Sequence, residues 1–356
     1  MRFSDVLDIR NGRNQRQVEN ENGKYPIYGS GGIMGRADDF ICDAETVVLG
    51  RKGSINNPIF VDEPFWNVDT AFGLVAHKGV LLPKYLYYFC VNFDFERLNT
   101  TVTIPSLTKA NLLQVEISVP DMDKQRYIVG ILDKLCHLIE LRQQELCELN
   151  QLVKSRFIEL FGDPVYNNSG LPTKKLCELG SLDRGRSQHR PRNDPKLLNG
   201  PYPLVQTGEV ASAGLYITEY KNTYSELGLQ QSKMWKAGTL CITIAANIAQ
   251  TAILTFDACF PDSVVGFVPS DEVSAIYMHY WFGFFQKILE EQAPQVAQKN
   301  INLKILSDLD VMVPIKEHQE QFAAFVEQTD KSKLAVQKSL EELEILKKSL
   351  MQQYFG

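Results

Sequence analysis

The sequence predicts an α+β fold: two globular α/β heads related by a pseudo-two-fold axis and joined by two long antiparallel coiled-coil helices. Three observations carry this. The chain repeats itself. Each repeat begins with short β-branched runs broken by Gly and Asn turns, and ends in a Leu/Glu/Lys/Gln-rich stretch nearly free of Gly and Pro. Those two stretches carry heptad-spaced apolar rows.

The repeat is read directly. Ile117-Ser118-Val119-Pro120 falls on Val311-Met312-Val313-Pro314, Gln125 on Gln319, Ile128 on Phe322, and Phe161-Gly162 on Phe355-Gly356. Upstream, residues 46–73 align without gaps with residues 239–266. Tyr25-Pro26-Ile27 matches Tyr202-Pro203-Leu204, and Gly12-Arg13 matches Gly185-Arg186. The offset drifts from 194 to 173 residues toward the N-terminus, as loop insertions would make it.

Four segments follow: a head over residues 1–120, a central helical spacer over 121–172, a second head over 173–314 and a C-terminal spacer over 315–356. Thr46-Val47-Val48-Leu49 and Thr239-Leu240-Cys241-Ile242-Thr243-Ile244 read as buried strands. In the first spacer Leu132, Leu135, Ile139, Leu146, Leu149 and Val153 form the seam, and in the second Val326, Val336, Leu340, Leu343 and Leu350. A row this narrow needs a partner, and the other copy is the nearest. A helix over residues 132–160 is about 42 Å long at ~1.5 Å per residue. Two reading heads on one face of B-DNA stand about 34–36 Å apart. The predicted dumbbell therefore suits two heads on one duplex, reading unlike half-sites because their loops differ.

Composition bounds the alternatives. The 356 residues are 44% hydrophobic and 22% charged, which is ordinary globular usage. No run approaches the ~20 apolar residues of a membrane span, and the first ten residues lack a signal-peptide core. The seven cysteines are scattered with no Cys-x-x-Cys pair, and the five histidines show no ligand spacing. Reduced thiols and a cytoplasmic location are expected. The net charge of −6 argues against nucleic acid only as a whole-chain sum, because residues 183–196 hold Arg184, Arg186, Arg190, Arg192 and Lys196 against Asp183 and Asp194.

Candidate DNA contacts sit in Gly-flanked loops that permit close backbone approach. In the first head they are Tyr28, Ser30, Arg36, Arg51, Lys52 and Ser54. In the second they are Arg186, Gln188, Arg190, Arg192, Gln206, Thr207, Asn247 and Gln250. Arg suits guanine edges, and Gln and Asn suit adenine. An ordinary solvated surface is the competing reading for each.

Several segments mimic catalytic motifs. Ile27-Tyr28-Gly29-Ser30-Gly31 and Asn57-Pro58-Ile59-Phe60 echo a methyltransferase's cofactor loop and adenine grip, without the second proline or a ribose-binding acid. Gly50-Arg51-Lys52-Gly53-Ser54 lacks P-loop spacing. Asp194 with Glu219-x-Lys221 is a common chance pattern with no counterpart in the first head. The clusters Tyr85, Tyr87, Tyr88, Phe89 and Tyr277, Tyr280, Trp281, Phe282 read as core. No catalytic or metal site is expected on this chain.

Over its whole length the sequence resembles the specificity subunit of type I restriction–modification systems. The likeness lies in the order head, helix, head, helix. It lies also in the segments Tyr25-Pro26-Ile27-Tyr28-Gly29-Ser30-Gly31-Gly32, Val48-Leu49-Gly50-Arg51-Lys52-Gly53-Ser54-Ile55 with Trp66-Asn67-Val68-Asp69-Thr70-Ala71-Phe72, Thr243-Ile244-Ala245-Ala246-Asn247-Ile248, and Ser155-Arg156-Phe157-Ile158-Glu159-Leu160-Phe161-Gly162-Asp163-Pro164. The resemblance implies that the heads are target recognition domains on double-stranded DNA. It implies two N6-adenine methyltransferase (modification) subunits as partners, and restriction translocase–nuclease subunits beyond them. S-adenosylmethionine, ATP and Mg would belong to those partners, with no cofactor on this chain. A coiled-coil scaffold whose heads bind proteins is the competing class. Salt-dependent binding to one DNA sequence separates the two.

Overall fold

The structure, a computed structural model, describes residues 1–99, 105–245, 248–292 and 301–356. The chain divides into two compact units, residues 1–145 with 336–356, and residues 146–335. No helix among the described residues is long and apolar enough to cross a membrane.

In the first unit the head comprises α1 (Phe3–Val6), β1 (Leu7–Asn11), β2 (Tyr25–Gly29), β3 (Gly32–Ala37), β4 (Thr46–Gly50), β5 (Ile59–Val61), β6 (Trp66–Asn67), β7 (Ala71–Ala76), α2 (Pro83–Asn92) and α3 (Lys109–Leu113). It contributes one antiparallel sheet in the order β1-β7-β4-β5 and a second in the order β3-β2-β6. The 40-residue helix α4 (Met122–Phe161) follows.

β4 explains the layering. Val47 and Leu49 enter the core beneath α2, while Val48 enters a second core with Cys42, Phe65 and the partly buried Tyr28. A strand covered on both faces needs a continuous apolar run rather than alternation, and Thr-Val-Val-Leu is such a run.

In the second unit the elements are β8 (Thr173–Lys175), β9 (Gly180–Arg184), β10 (Leu198–Leu204), α5 (Thr207–Ser212), β11 (Tyr216–Ile217), β12 (Asn222–Tyr224), α6 (Glu226–Gln230), β13 (Met234–Trp235), β14 (Leu240–Thr243), β15 (Thr251–Leu254), β16 (Ala258–Cys259), β17 (Val264–Pro269), α7 (Ala275–Gln292), α8 (Leu303–Ser307) and β18 (Asp310–Met312). Its main sheet runs β11-β15-β14-β17-β9 and its second β12-β10-β16-β13, with β8 paired to β18. Stripped of edge strands β11 and β13, these sheets repeat the first head's order strand for strand. The parallel β2–β6 pair recurs as β10–β16. The 40-residue α9 (Lys316–Phe355) ends the chain.

The duplication extends to single hydrogen bonds. Phe3 N–H donates to Val115 O and Leu176 N–H to Leu309 O, each at 2.9 Å. Tyr85 Oη donates to Ser118 O at 3.0 Å, as Tyr277 Oη does to Met312 O at 2.9 Å. Gln125 and Gln319 are buried at the start of the long helices. Gln125 accepts from Leu82 N–H at 2.9 Å and donates to Val80 O and Pro120 O, both at 2.9 Å. Gln319 accepts from Ser274 N–H at 2.9 Å and donates to Glu272 O at 2.8 Å and Pro314 O at 3.0 Å. A buried amide is tolerable only when its donors and acceptor are matched in this way.

The aromatic clusters are core, with Tyr85, Tyr88, Phe89, Tyr277, Trp281 and Phe282 buried. In the first unit Leu350, Met351, Tyr354 and Phe355 of α9 join the core that holds Ile128 and Leu132 of α4. The Phe355 ring lies 5.0 Å from Tyr85 and 6.3 Å from Phe89. In the second unit Val153, Phe157 and Phe161, near the end of α4, meet Phe322 and Val326, near the start of α9. Within each unit the end of one helix thus lies beside the beginning of the other, which is antiparallel packing. Of the seam residues, Leu132, Leu135, Ile139, Val153, Val326, Val336 and Leu340 are buried, and Leu146, Leu149, Leu343 and Leu350 are half-buried.

Candidate nucleic-acid interface

In the first head the loop after β4 is pinned from two sides. Arg51 and Lys52 N–H donate to Thr70 O at 2.7 and 3.3 Å. Leu107 N–H donates to Arg51 O at 2.9 Å, and Gly53 N–H to Pro105 O at 3.1 Å. Gly50 and Gly53 are required here. A Cβ on Gly50 would stand 2.1 Å from Ser54 O, and Gly53 has φ +82°. A Cβ at Gly50 would also lie 3.1 Å from the Ser30 Cβ, and one at Gly53 3.8 Å from its Oγ. The structure therefore brings Ser30, Arg51, Lys52 and Ser54 together, all but the half-buried Ser30 exposed. Arg51 stacks over Phe72 at 5.7 Å, and neither Arg51 nor Lys52 has a carboxylate in ion-pair range among the described residues.

Tyr28 is half-buried, edge-on to Phe65 at 5.4 Å, and burial raises its phenol pKa. It packs on the small core of Cys42, Val48, Val61, Phe65 and Ala71. Arg36 lies at the far end of the hairpin, where its Nε and Nη2 donate to Gly23 O at 2.6 Å and Lys24 O at 2.7 Å. It clamps the chain entering β2 and is not part of the cluster.

Arg13 joins the candidates. Gly12 N–H donates to Ala71 O at 3.2 Å and Arg13 N–H to Asn67 O at 2.9 Å, so Arg13 flanks the same turn that Arg51 holds from the other side. It is exposed and has no carboxylate in ion-pair range among the described residues. The signal was the repeat itself, since Arg13 occupies the place of Arg186.

The second head reproduces this frame with other side chains. Gly185 N–H donates to Val264 O at 2.9 Å, Ile244 N–H to Ser263 O at 3.0 Å, and Ile301 N–H to Ile244 O at 3.0 Å, the counterparts of the bonds at Gly12, Arg51 and Leu107. Where the first head has the exposed Arg51, the second has the buried Ile244. Its cations come instead from the loop after β9. There Gln231 Oε1 accepts from Gln188 and His189 N–H at 2.7 and 3.1 Å, and Ser232 Oγ donates to Arg186 O at 3.0 Å. Arg192 pairs with Asp262 at 2.5 Å and Arg190 with the same carboxylate at 3.7 Å. Lys233 holds the Asp183 carboxyl below its usual range, and the Lys196 N–H, with His189, does so for Asp194. Both acids stay ionised, and Asp262, from outside the loop, pairs with two of its five cations, so the local positive excess is smaller than the loop sequence alone implies. Arg186 is exposed with no carboxylate in ion-pair range among the described residues.

A cleft of about 340 Å³ brings Arg192, Gln206 and Thr207 together with Ser187, Tyr224 and Ser263. Gln250 lines a separate cleft with Thr251, His279 and Tyr280. Asn247 lies outside the described residues. Sequence reading missed Asp262 and Gln231, which shape the basic loop from about 40 to 70 residues away.

Two heads on one frame, carrying different polar loops, define a duplicated two-domain protein. The chain belongs to the family described as the type I restriction modification DNA specificity domain, which it matches over residues 1–151 and 168–345. It is similar to a type I restriction enzyme specificity subunit of Haemophilus influenzae, 23% identical over 298 residues covering 79% of this chain and 74% of the relative. It is also similar to the MjaX specificity subunit of Methanocaldococcus jannaschii, 22% identical over 293 residues covering 78% and 68%. The solved S subunit of a type I restriction–modification system from M. genitalium shares the fold, with a TM-score of 0.67 at 16% identity over 100% of this chain and 95% of that one.

Proposed function

We propose that this type I specificity subunit reads one half of an asymmetric bipartite DNA target with each head, while the two long helices set the unspecified gap and dock two methyltransferase subunits. The observation that carries the reading is the exchange at one framework position, exposed Arg51 in one head and buried Ile244 in the other, on an otherwise repeated hydrogen-bond frame. Shared frame with unlike contact chemistry is what two different half-sites demand. Docking beside the first head is supported by a cleft of about 750 Å³ lined by Phe60, Lys84, Tyr88, Asp133, His137 and Lys347. Methyl transfer, ATP-driven translocation and cleavage belong on this reading to the modification and restriction subunits, with S-adenosylmethionine, ATP and Mg bound there. The complex acts on cellular DNA in the cytoplasm.

Genome-wide adenine-methylation mapping with and without the gene tests the proposal. One bipartite methylated motif should vanish with the gene and return on complementation. An unchanged set of methylated motifs sinks it, as does methyl transfer by the isolated chain.

A further inference from the structure

The hairpin beside the Arg51 loop carries two exposed apolar side chains, Ile33 at 66% and Met34 at 61% exposure. Successive strand residues normally face opposite sides of a sheet. Here the register slips between Ile27, which pairs with Gly35, and Tyr28, which pairs with Ile33, so that Met34 is the extra residue of a bulge. A bulge re-aims side chains and is over-represented beside functional sites. Gly29 makes room for the result, since a Cβ there would lie 2.5 Å from Met34 Sδ. The turn ends at Gly32 with φ +120°. Ser30, at the same tip, packs against Gly50 and Gly53, which flank Arg51 and Lys52.

An exposed apolar residue alone means little. Two of them, presented by a bulge at a hairpin tip whose Ser30 packs on the loop that carries Arg51 and Lys52, match one ligand surface. Phosphates take the cations, and the major groove offers a single apolar feature, the 5-methyl group of thymine. We propose that Ile33 and Met34 read thymine 5-methyl groups in the half-site of the first head. This rests on the reading of that head as a DNA-binding domain.

The test uses the chain assembled with its methyltransferase subunits. The target is mapped, and the half that survives replacement of residues 173–314 is assigned to the first head. Binding is then measured on duplexes in which each thymine of that half is replaced singly by deoxyuridine, which lacks only the methyl group. At one or two positions the replacement should weaken binding about three- to fivefold, the worth of one buried methyl group. The double variant Ile33→Ala, Met34→Ala should bind the thymine duplex correspondingly less well and show no further loss with deoxyuridine. The conservative pair Ile33→Val, Met34→Leu, which keeps the apolar surface, should retain the discrimination. Parental binding by the alanine variant, an undiminished response to deoxyuridine, or a first-head half-site without an A·T pair would each overturn the inference. Absence of any bipartite methylated target would instead overturn the functional reading beneath it.

Discussion

At the scale of single residues, buried polar side chains show most plainly how each head is joined to its helix. Gln125 satisfies Leu82 N–H, Val80 O and Pro120 O from one amide. Gln125→Leu fills the same space and leaves three partly buried backbone groups without partners, at up to about 1–3 kcal/mol each where relaxation and water do not restore them. A loss of about 2–4 kcal/mol in unfolding free energy is expected, read from urea midpoints, and Gln319→Leu should behave alike. A shift below half a kcal/mol for both would mean the amides are not latches. His279 makes a second case. Its Nδ1 lies 3.0 Å from Thr251 Oγ1, and burial pushes its pKa from 6.5 down to about 4, with the Lys333 ammonium acting in the same direction. Folding therefore favours the neutral ring. As pH falls through 6.5 the unfolded chain takes up a proton that the folded chain refuses, and stability drops until about pH 4. Urea midpoints for the parent and for His279→Asn should diverge at neutral pH and converge toward pH 4. Parallel pH profiles would exclude His279 as the titrating group.

At the scale of elements, the order head, helix, head, helix was legible because heptad rows and buried strands are written in local periodicity, and the repeat doubled every signal. The two-residue strands β6, β13 and β16 carry no periodicity, so the second sheet of each head was not legible. Among contact candidates, the Gly50–Gly53 loop was legible from its glycines. The diversion of Arg36 to the Gly23 and Lys24 carbonyls was not, nor was the capture of Arg190 and Arg192 by Asp262, because both depend on partners brought in by tertiary folding. The helices carry their own expectation. Seven residues add two turns, about 10 Å, while keeping the seam in phase. Inserting one heptad after Leu146 in α4 should change the unspecified gap in the methylated motif, or abolish methylation, and leave the specified bases of each half as they were. An unaltered motif with an unaltered gap would show that helix length is not the ruler.

At the scale of the whole molecule, duplication predicts two heads that are separable in function. Each has its own sheets, its own Gln latch and its own loop chemistry, and each core closes within its own unit. Exchange of residues 173–314 for the equivalent head of a relative should therefore change one half of the target and spare the other. Point changes in the remaining head give a graded form of the same expectation. Arg51→Ala and Lys52→Ala each remove a cation that no carboxylate among the described residues neutralises. If the cation meets a phosphate, affinity should fall on all sequences and the slope of log K against log salt should flatten by about one unit. If it meets a base edge, discrimination at one position should fall by about 1–3 kcal/mol. Either way the altered preference should stay within the half-site of residues 1–120, because the corresponding position in the other head is Ile244, buried and chemically unlike. Methylation mapping of these variants reads both halves at once. A change of preference in both halves on substituting Arg51 would show that the heads share one composite reading surface, and the two-reader proposal would be wrong.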